Sequence, residues 1–336
     1  MMVEAECKRA LMWRKERGLF RSNEALRVFH GPGEGSGLMR DVAVDCFGVH
    51  CYVTYWMSDK NRIRKEPDFG RISRFYIDSL GVNSVVVVRR AGAGQMLKPE
   101  AVFGTPPLAN FEVHEEGAKF LVNLMETQHT GLFLDHVSLR KWLRQRSRDW
   151  DVLNTFSYTG SLSVAAGLGG ASHVTSVDLS KNAVNWAREN WKINGLPEAS
   201  STFVVGDVFD WLGRYKKRAK KFDCVILDPP SFSRGESGAF STMRDLVRLH
   251  KMALEVVSDG GVLVTSINSA NISRQKYKSD ILLAAKQAGI RLEILAHINL
   301  PETFPVLLGE ESRAAYLKGW CFHVGGRFSA ESHDIF

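Results

Sequence analysis

No apolar run in this chain of 336 residues approaches the roughly 18 residues that a membrane-spanning helix needs. The amino terminus lacks the apolar stretch of a secretory signal, because charged residues are spread through its first 18 positions. Five cysteines in a chain of this length do not indicate a disulfide framework. We therefore expect a cytoplasmic protein with reduced thiols and no membrane partner.

Positive charge is in excess, with 44 Lys and Arg against 37 Asp and Glu, a net charge of +7 and a pI of about 9.1. Three segments concentrate the excess, namely 59–74, 140–148 and 213–221. Any one of them could equally be a solvated helix face. The three together favour a polyanionic partner, and RNA above others.

The pattern of secondary structure changes near residue 130. Before it, short strand-like segments surround one predicted helix at 69–81, which indicates a small α+β domain over 24–128. Residues 1–23 are predicted to form a helical extension before that domain.

From residue 150 onward, apolar strands alternate strictly with helices. This rhythm predicts an α/β fold over 129–336, with a Rossmann-like, doubly wound and mostly parallel sheet of seven strands. The last two strands, 291–299 and 316–324, follow each other without a helix. We therefore expect the final strand to insert antiparallel in the edge region.

Ligands of open α/β sheets bind beyond the carboxyl ends of the strands. After the first strand of this sheet the chain has a loop of small and aromatic residues: Phe156, Ser157, Tyr158, Thr159 and Gly160. It is not a G-x-G-x-x-G fingerprint, and by itself it could be an ordinary turn. The next three strands end in Asp178, Asp207 and Asp228. Each acid could cap a helix, but the series after such a loop favours a nucleoside site.

The most specific feature follows the fourth strand, where the chain reads Asp228, Pro229, Pro230, Ser231 and Phe232. Two prolines restrict the backbone and remove N–H donors, while their carbonyl oxygens remain able to accept. An aromatic side chain after them can stack on a planar ring. The segment is suited to holding a base flat beside an electrophile.

Residues 130–330 resemble the class I S-adenosylmethionine-dependent methyltransferases. More narrowly, they are similar to the bacterial large-subunit ribosomal RNA methyltransferases that make 5-methylcytosine or 7-methylguanosine. The stretches that carry the resemblance are HTGLFLDH (129–136), VLNTFSYTGSLSVAA (152–166), VTSVDLSKNAVNWARENWKING (174–195), GDVFDWL (206–212), FDCVILDPPSF (222–232) and AYLKGW (315–320). The small domain before residue 128 is also similar to one in that family. The family's extra N-terminal RNA-binding module has no counterpart in this sequence, in which about 24 residues precede the first predicted strand.

The resemblance implies S-adenosylmethionine as cofactor, S-adenosylhomocysteine as product and no metal. The loop from Phe156 to Gly160 would embrace the methionine part. Asp178 would bind the ribose, with Leu179 against the adenine, and Asp207 and Val208 would hold the adenine edge. The segment with Phe133, Leu134 and Asp135 would cover the cofactor. This chain has His136 where the family has Gln, which we interpret as a structural replacement rather than a general base.

The methylated atom can be argued from the cysteines. Carbon-5 of cytosine needs a cysteine thiolate that adds to the neighbouring ring carbon, and the 5-methylcytosine branch places it just after the fifth strand. Here that position is Asn268, and Cys224 and Cys321 lie within strands. Attack by a base nitrogen, with guanine favoured, therefore fits better, with Asp228 to Phe232 as the catalytic segment.

Two other functions stay open. The substrate could be a protein side chain or a small molecule, or the chain could be a catalytically silent RNA-binding assembly protein. The basic segments favour RNA, and the intact Asp-Pro-Pro-Ser-Phe sequence favours catalysis. A monomer and a homodimer are both compatible with the sequence.

Overall fold

The computed structural model describes residues 2–57, 66–91, 99–125, 129–230, 232–235, 238–269, 271–307 and 316–327. The chain divides into two compact units. Unit 1 comprises residues 1–137 and 300–315, and unit 2 comprises residues 138–299 and 316–336. The predicted domain boundary between residues 128 and 129 stays a prediction.

Unit 1 is built on a five-stranded sheet in the order β1-β2-β3-β4-β5, and a separate hairpin is formed by β6 and β7. Its helices and strands are α1 (Met2–Glu16), β1 (Leu26–His30), α2 (Gly31–Glu34), β2 (Val42–Phe47), β3 (His50–Met57), α3 (Phe69–Leu80), β4 (Ser84–Ala91), β5 (Ala101–Gly104), β6 (Phe111–Glu115) and β7 (Ala118–Val122). Strands β3 and β4 are parallel, and the other pairs are antiparallel. Helix α3 connects the parallel pair, as a crossover requires.

The two ends of helix α3 are set by residues next to it in the sequence. The Asp68 carboxylate accepts from the Arg71 backbone N–H at 3.0 Å, which caps the amino terminus. Gly81 ends the helix with a φ of 66°, a left-handed conformation that glycine adopts without steric cost. Ile72 and Tyr76 are fully buried in the core of unit 1. The helix predicted over 69–81 is therefore present, with its predicted stop residue.

Unit 2 is built on a seven-stranded sheet in the order β10-β9-β8-β11-β14-β16-β15, with a small hairpin of β12 and β13. Its helices and strands are α4 (Val137–Arg146), β8 (Asp151–Thr155), α5 (Ser161–Leu168), β9 (His173–Asp178), α6 (Lys181–Ile193), β10 (Ser201–Val205), α7 (Val208–Lys217), β11 (Phe222–Leu227), β12 (Phe232–Gly235), β13 (Gly238–Ser241), α8 (Thr242–Leu254), β14 (Val257–Asn268), α9 (Arg274–Ala288), β15 (Ile290–Ile298) and β16 (Leu317–Arg327). Strands β8, β9, β10, β11 and β14 are mutually parallel. The predicted seven-stranded, mostly parallel sheet is confirmed.

The final strand is antiparallel to its neighbours, as expected from the absence of a helix between the last two strands. Strand β16 lies between β14 and β15 and is antiparallel to both, with Trp320 opposite Thr265.

No helix of the described chain has the length and apolar character needed to cross a membrane.

Two local features differ from the sequence expectation. The helical pattern of the sequence continues from residue 242 to residue 258, whereas α8 ends at Leu254, because Val257 already pairs with Phe222 as the start of β14. The hairpin of β12 and β13 follows the proline segment, where no strand was predicted. Its strands are four residues each, too short for periodicity to reveal.

A buried arginine holds the separate pieces of unit 1 together. Arg14 on α1 has no exposed surface. Its Nε donates to the Arg27 carbonyl oxygen at 2.8 Å, and its Nη1 donates to that of Ala10 at 3.0 Å. Both Nη atoms also bind the Glu34 carboxylate, at 3.0 and 2.8 Å, and Nη2 reaches the Thr303 carbonyl oxygen at 2.7 Å. All five N–H donors are thus used.

We predict that Arg14→Ala strongly destabilises unit 1. The substitution leaves the Glu34 carboxylate without its cation, and breaking one side of a buried pair costs about 3–5 kcal/mol. Arg17 is the matched control, because its pair with Glu302 is more than half exposed on both sides and such pairs contribute about 0–1 kcal/mol. Urea unfolding of Arg14→Ala and Arg17→Ala measures both values, and equal losses would contradict the role given to Arg14.

Candidate functional site

The parallel strands of unit 2 bring the predicted residues to one edge of the sheet. Thr155 at the end of β8 lies opposite both Val177 and Leu227, and Asp178 lies opposite Val205. The segments that follow these strand ends are therefore neighbours, since parallel strands share the direction of their carboxyl ends.

The loop after β8 has an unusual backbone. Phe156 and Tyr158 have φ values of 53° and 49°, a region that non-glycine residues rarely occupy and that is concentrated at functional sites. Gly160 has a φ of 75°, and a Cβ placed on it would lie 2.8 Å from the Ala187 Cβ on α6. The loop therefore needs glycine at this position for two reasons, its conformation and its close approach to α6.

Asp178 joins two loops at the centre of the site. Its Oδ2 accepts from the Tyr158 backbone N–H at 2.8 Å, and its Oδ1 accepts from that of Ser180 at 2.9 Å. Burial raises the pKa of Asp178 above its ordinary value, and the backbone N–H groups oppose that rise. A carboxylate has about four acceptor positions, so it can also accept from two ligand hydroxyls.

Two further features of this edge fit a nucleoside-containing cofactor. The Ser157 Oγ is buried and has no hydrogen-bond partner among the described residues, and an orphaned buried hydroxyl costs free energy unless a ligand satisfies it. Leu179, beside Asp178, leaves 42% of its surface exposed, which provides an apolar surface for a ring. The residues present therefore fit such a group.

Asp207 caps a helix, which is the alternative role that the sequence analysis left open for it. It is the N-cap of α7, and its Oδ1 accepts from the Phe209 backbone N–H at 2.8 Å. Val208, at the first position of that helix, is buried. Both residues follow the end of β10, the strand next to the one that ends in Asp178.

Asp228 is held by a residue that the sequence analysis did not single out. The Ser266 Oγ, on the neighbouring strand β14, donates to the Asp228 Oδ1 at 2.6 Å. Pro229 is buried and Pro230 is exposed. Ser231 lies outside the described residues, and Phe232 begins β12 with its backbone opposite Ser241. The only sequence signal for Ser266 was its position near the carboxyl end of the fifth parallel strand, β14.

Another unpredicted contact supports the loop after β8. The Asn190 Nδ2 on α6 donates to the Thr159 carbonyl oxygen at 2.8 Å, and both residues are buried. Arg140 on α4 is also buried, with its Nη1 3.4 Å from the Ser161 Oγ at the start of α5.

The residues predicted to cover the cofactor belong to unit 1. Leu134, Asp135 and His136 form a short 3-10 turn and are buried, and Phe133 before them is 38% exposed. The His136 Nδ1 lies 3.0 Å from the Asp135 Oδ1. The interpretation of His136 as a structural replacement stays a prediction.

The basic segment 213–221 lies at the other end of the sheet. Lys216 binds the Glu255 carboxylate, Lys220 binds that of Asp151, and Lys221 binds the Glu255 and Val257 carbonyl oxygens. Asp151 and Val257 begin parallel strands, so these lysines lie at their amino ends. Both the place and the pairing favour the solvated-face interpretation of this segment.

Comparison with known proteins gives consistent matches. A family profile for S-adenosylmethionine-dependent methyltransferases matches residues 88–320. The chain is 32% identical over 292 residues to ribosomal RNA large subunit methyltransferase I of Klebsiella pneumoniae, covering 87% of this chain and 72% of that protein. It is 43% identical over 160 residues to ribosomal RNA large subunit methyltransferase K/L of a Psychrobacter species, covering 46% and 20%. The crystal structure of SMU.776 in complex with SAH aligns with a TM-score of 0.81 at 27% identity, covering 96% of this chain and 82% of that one.

We predict that Gly160→Ala destabilises unit 2 more than Gly195→Ala. Both glycines have a left-handed backbone, which costs about 1–2 kcal/mol for alanine. A Cβ at Gly195 meets nothing within 4 Å, whereas one at Gly160 collides with Ala187. Thermal unfolding of the two variants measures the difference, and equal losses would contradict the close approach of this loop to α6.

Proposed function

Because the chain belongs to the S-adenosylmethionine-dependent methyltransferase family, we propose that it methylates a base nitrogen, with guanine favoured, in large-subunit ribosomal RNA. Transfer is direct and in line, without a cysteine nucleophile. The observation that carries the proposal is the Asp228–Pro230 segment at the site edge, held by Ser266, with no cysteine beside it.

The cofactor assignments rest on the geometry of the strand ends. The loop from Phe156 to Gly160 surrounds the methionine part, and the Ser157 hydroxyl gains the partner that it lacks among the described residues. Asp178 accepts from the ribose hydroxyls, and Leu179 packs on the adenine. Asp207 and Val208 meet the adenine edge, and Phe133, Leu134 and Asp135 cover the cofactor.

The bound cofactor supplies an electrophilic methyl group on a sulfonium. The chain's task is to hold the base nitrogen in line with that methyl carbon and to exclude water. The nitrogen lone pair would form the new N–C bond as the C–S bond breaks, the C–S electron pair would stay on sulfur, and the Asp228 carboxylate would accept any proton that the nitrogen carries. Asp228 and the carbonyl oxygens of Pro229 and Pro230 accept from the N–H groups of the base, and the Ser266 hydroxyl fixes the orientation of Asp228.

All five cysteines of the chain are described, and all are buried. Cys224 and Cys321 lie within β11 and β16 rather than at the site edge. Burial raises the pKa of Cys321 to about 12, and it raises that of Cys224 well above its usual range. Neither thiol is suited to form the thiolate that carbon methylation needs.

The choice of RNA rests on charge and on the named relatives. Lys141, Arg144 and Arg148 in the basic segment 140–148 are exposed and leave a cationic surface on unit 2. The relatives from Klebsiella pneumoniae and Psychrobacter are both named for large-subunit ribosomal RNA. Both facts support a ribosomal RNA substrate.

The decisive experiment is methyl transfer by the purified full chain. The substrate is large-subunit ribosomal RNA from a strain that lacks the gene, and the cofactor carries a labelled methyl group. Mass analysis of the digested RNA should find the label in a methylguanosine. Label in 5-methylcytidine would contradict nitrogen transfer, and label only in protein or small molecules would contradict the RNA substrate.

Single substitutions of the five cysteines by alanine test the mechanism separately. Turnover should stay within a few-fold in each folded variant, because no thiol takes part in the reaction. A hundredfold loss in a folded variant that still binds cofactor would contradict direct transfer. A covalent complex trapped with 5-fluorocytosine-containing RNA would do the same.

We also predict that Asp178→Ala weakens S-adenosylmethionine binding tenfold to a hundredfold, because hydrogen bonds to a charged group are worth about 1.5–3 kcal/mol. Asp259→Ala, at an exposed position near the start of β14, is the control that removes a charge elsewhere. Titration calorimetry measures both, and unchanged affinity in Asp178→Ala would overturn the ribose assignment.

The pH dependence of that binding follows from the raised pKa of Asp178. The ionised carboxylate accepts the ribose hydroxyls, so affinity should fall as the pH drops through the raised pKa. The fall should therefore begin at a higher pH than an exposed aspartate would give. Asp178→Asn should remove this dependence.

A further inference from the structure

A second group of charges lies at the same edge of unit 2, beyond the residues assigned above. Strand β16 begins there because it runs antiparallel to β14, with Lys318 opposite Ile267. Helix α9 begins with Arg274 shortly after β14 ends at Asn268. The Arg274 guanidinium lies 5.4 Å from the ring centre of Trp320. Trp320 is two residues from Lys318 and therefore on the same face of the sheet.

The guanidinium of Arg274 has no carboxylate partner among the described residues. Its Nη2 donates to the Asn299 Oδ1 at 2.8 Å, which is its only hydrogen bond to a described residue. Arginine has five donors, and Arg14 in unit 1 uses all of its own. Partial burial lowers the pKa of Arg274.

Lys318 is also a cation with no carboxylate partner among the described residues. It is 7% exposed, and its Nζ donates to the carbonyl oxygens of Ser269 and Tyr316. It has no carboxylate partner within the described part of the chain. Burial, and then the positive charge of Arg274, lower its pKa. Two neighbouring cations that have no anionic partner among the described residues are unfavourable, and a bound anion would relieve that cost.

The position of these cations separates them from the cofactor residues. In the sheet order, β16 is the third strand from β8 on the side away from β9. Strands are about 4.8 Å apart, so the separation from the loop after β8 is about 14 Å. The cations therefore lie on the far side of Asp228 from Gly160 and Asp178.

From these observations we propose that Arg274 and Lys318 bind a phosphodiester group of the substrate RNA next to the methylated nucleotide. The planar donor fork of Arg274 matches two phosphate oxygens, and Lys318 adds a positive charge from the β16 side. Stacking on Trp320 holds the guanidinium in place before RNA arrives. This inference rests on the proposed function and adds a substrate contact to it.

The test measures binding of large-subunit ribosomal RNA to the full chain over a series of salt concentrations. Arg274→Met and Lys318→Met should each reduce the slope of log affinity against log salt by about 0.7–0.9, the value for one phosphate contact. Arg274→Lys keeps the charge, so it should keep the slope while it weakens binding. Lys278→Met, an exposed lysine on the same helix, is the matched control and should leave both unchanged.

Two further readouts separate the possible results. Cofactor affinity by calorimetry should be unchanged in Arg274→Met, and KM for RNA should rise while kcat is kept.

Wild-type slope and affinity in folded Arg274→Met would overturn this inference and leave the proposed function standing. Loss of cofactor binding instead would assign the cations to the cofactor carboxylate, which also overturns it. No RNA binding by the unaltered chain would overturn the proposed function and the inference together. If Lys318→Met does not fold, the pair Arg274→Met and Arg274→Lys still decides.

Discussion

The candidate site depends on one carboxylate, that of Asp178. It accepts from backbone N–H groups of two different loops, those of Tyr158 and Ser180. The loop after β8 can therefore hold positive φ values at Phe156 and Tyr158, because a charged acceptor and the close packing of Gly160 on α6 compensate for the strain. The parallel strands then place Asp228 after the end of β11, which is next to β8 in the sheet. There it accepts a hydrogen bond from Ser266.

The two units use buried positive charge in opposite ways. In unit 1, Arg14 and Arg27 are paired bidentately with Glu34 and Asp45, and their donors tie separate elements together. In unit 2, Arg274 binds only a neutral amide among the described residues. A saturated arginine stabilises a fold, whereas an unsaturated one at the edge of a binding site is suited to an anionic ligand.

Much of the fold was predictable because its signals are local. The helix over 69–81 ends at the glycine that was expected to stop it, and its capping aspartate is also a local feature of the sequence. The alternation of strands and helices after residue 150 predicted the sheet, and a missing helix predicted that β16 is antiparallel. The end of α8 and the hairpin of β12 and β13 were not predictable, because strand pairing decided them.

The sequence by itself determined which acids end which strands, and hence that Asp178, Asp207 and Asp228 lie at one edge of the sheet, since parallel topology follows from the strand–helix rhythm. It also determined that the segments directly after β11 and β14 contain no cysteine. Only the tertiary structure decided which charges are paired. The basic segment 213–221 is conspicuous in the sequence, yet Lys216 and Lys220 are bound to carboxylates at the opposite end of the sheet. Arg274 and Lys318 are far apart in the sequence and become neighbours through the packing of α9 on Trp320, because electrostatic interactions depend on distance in space and not along the chain.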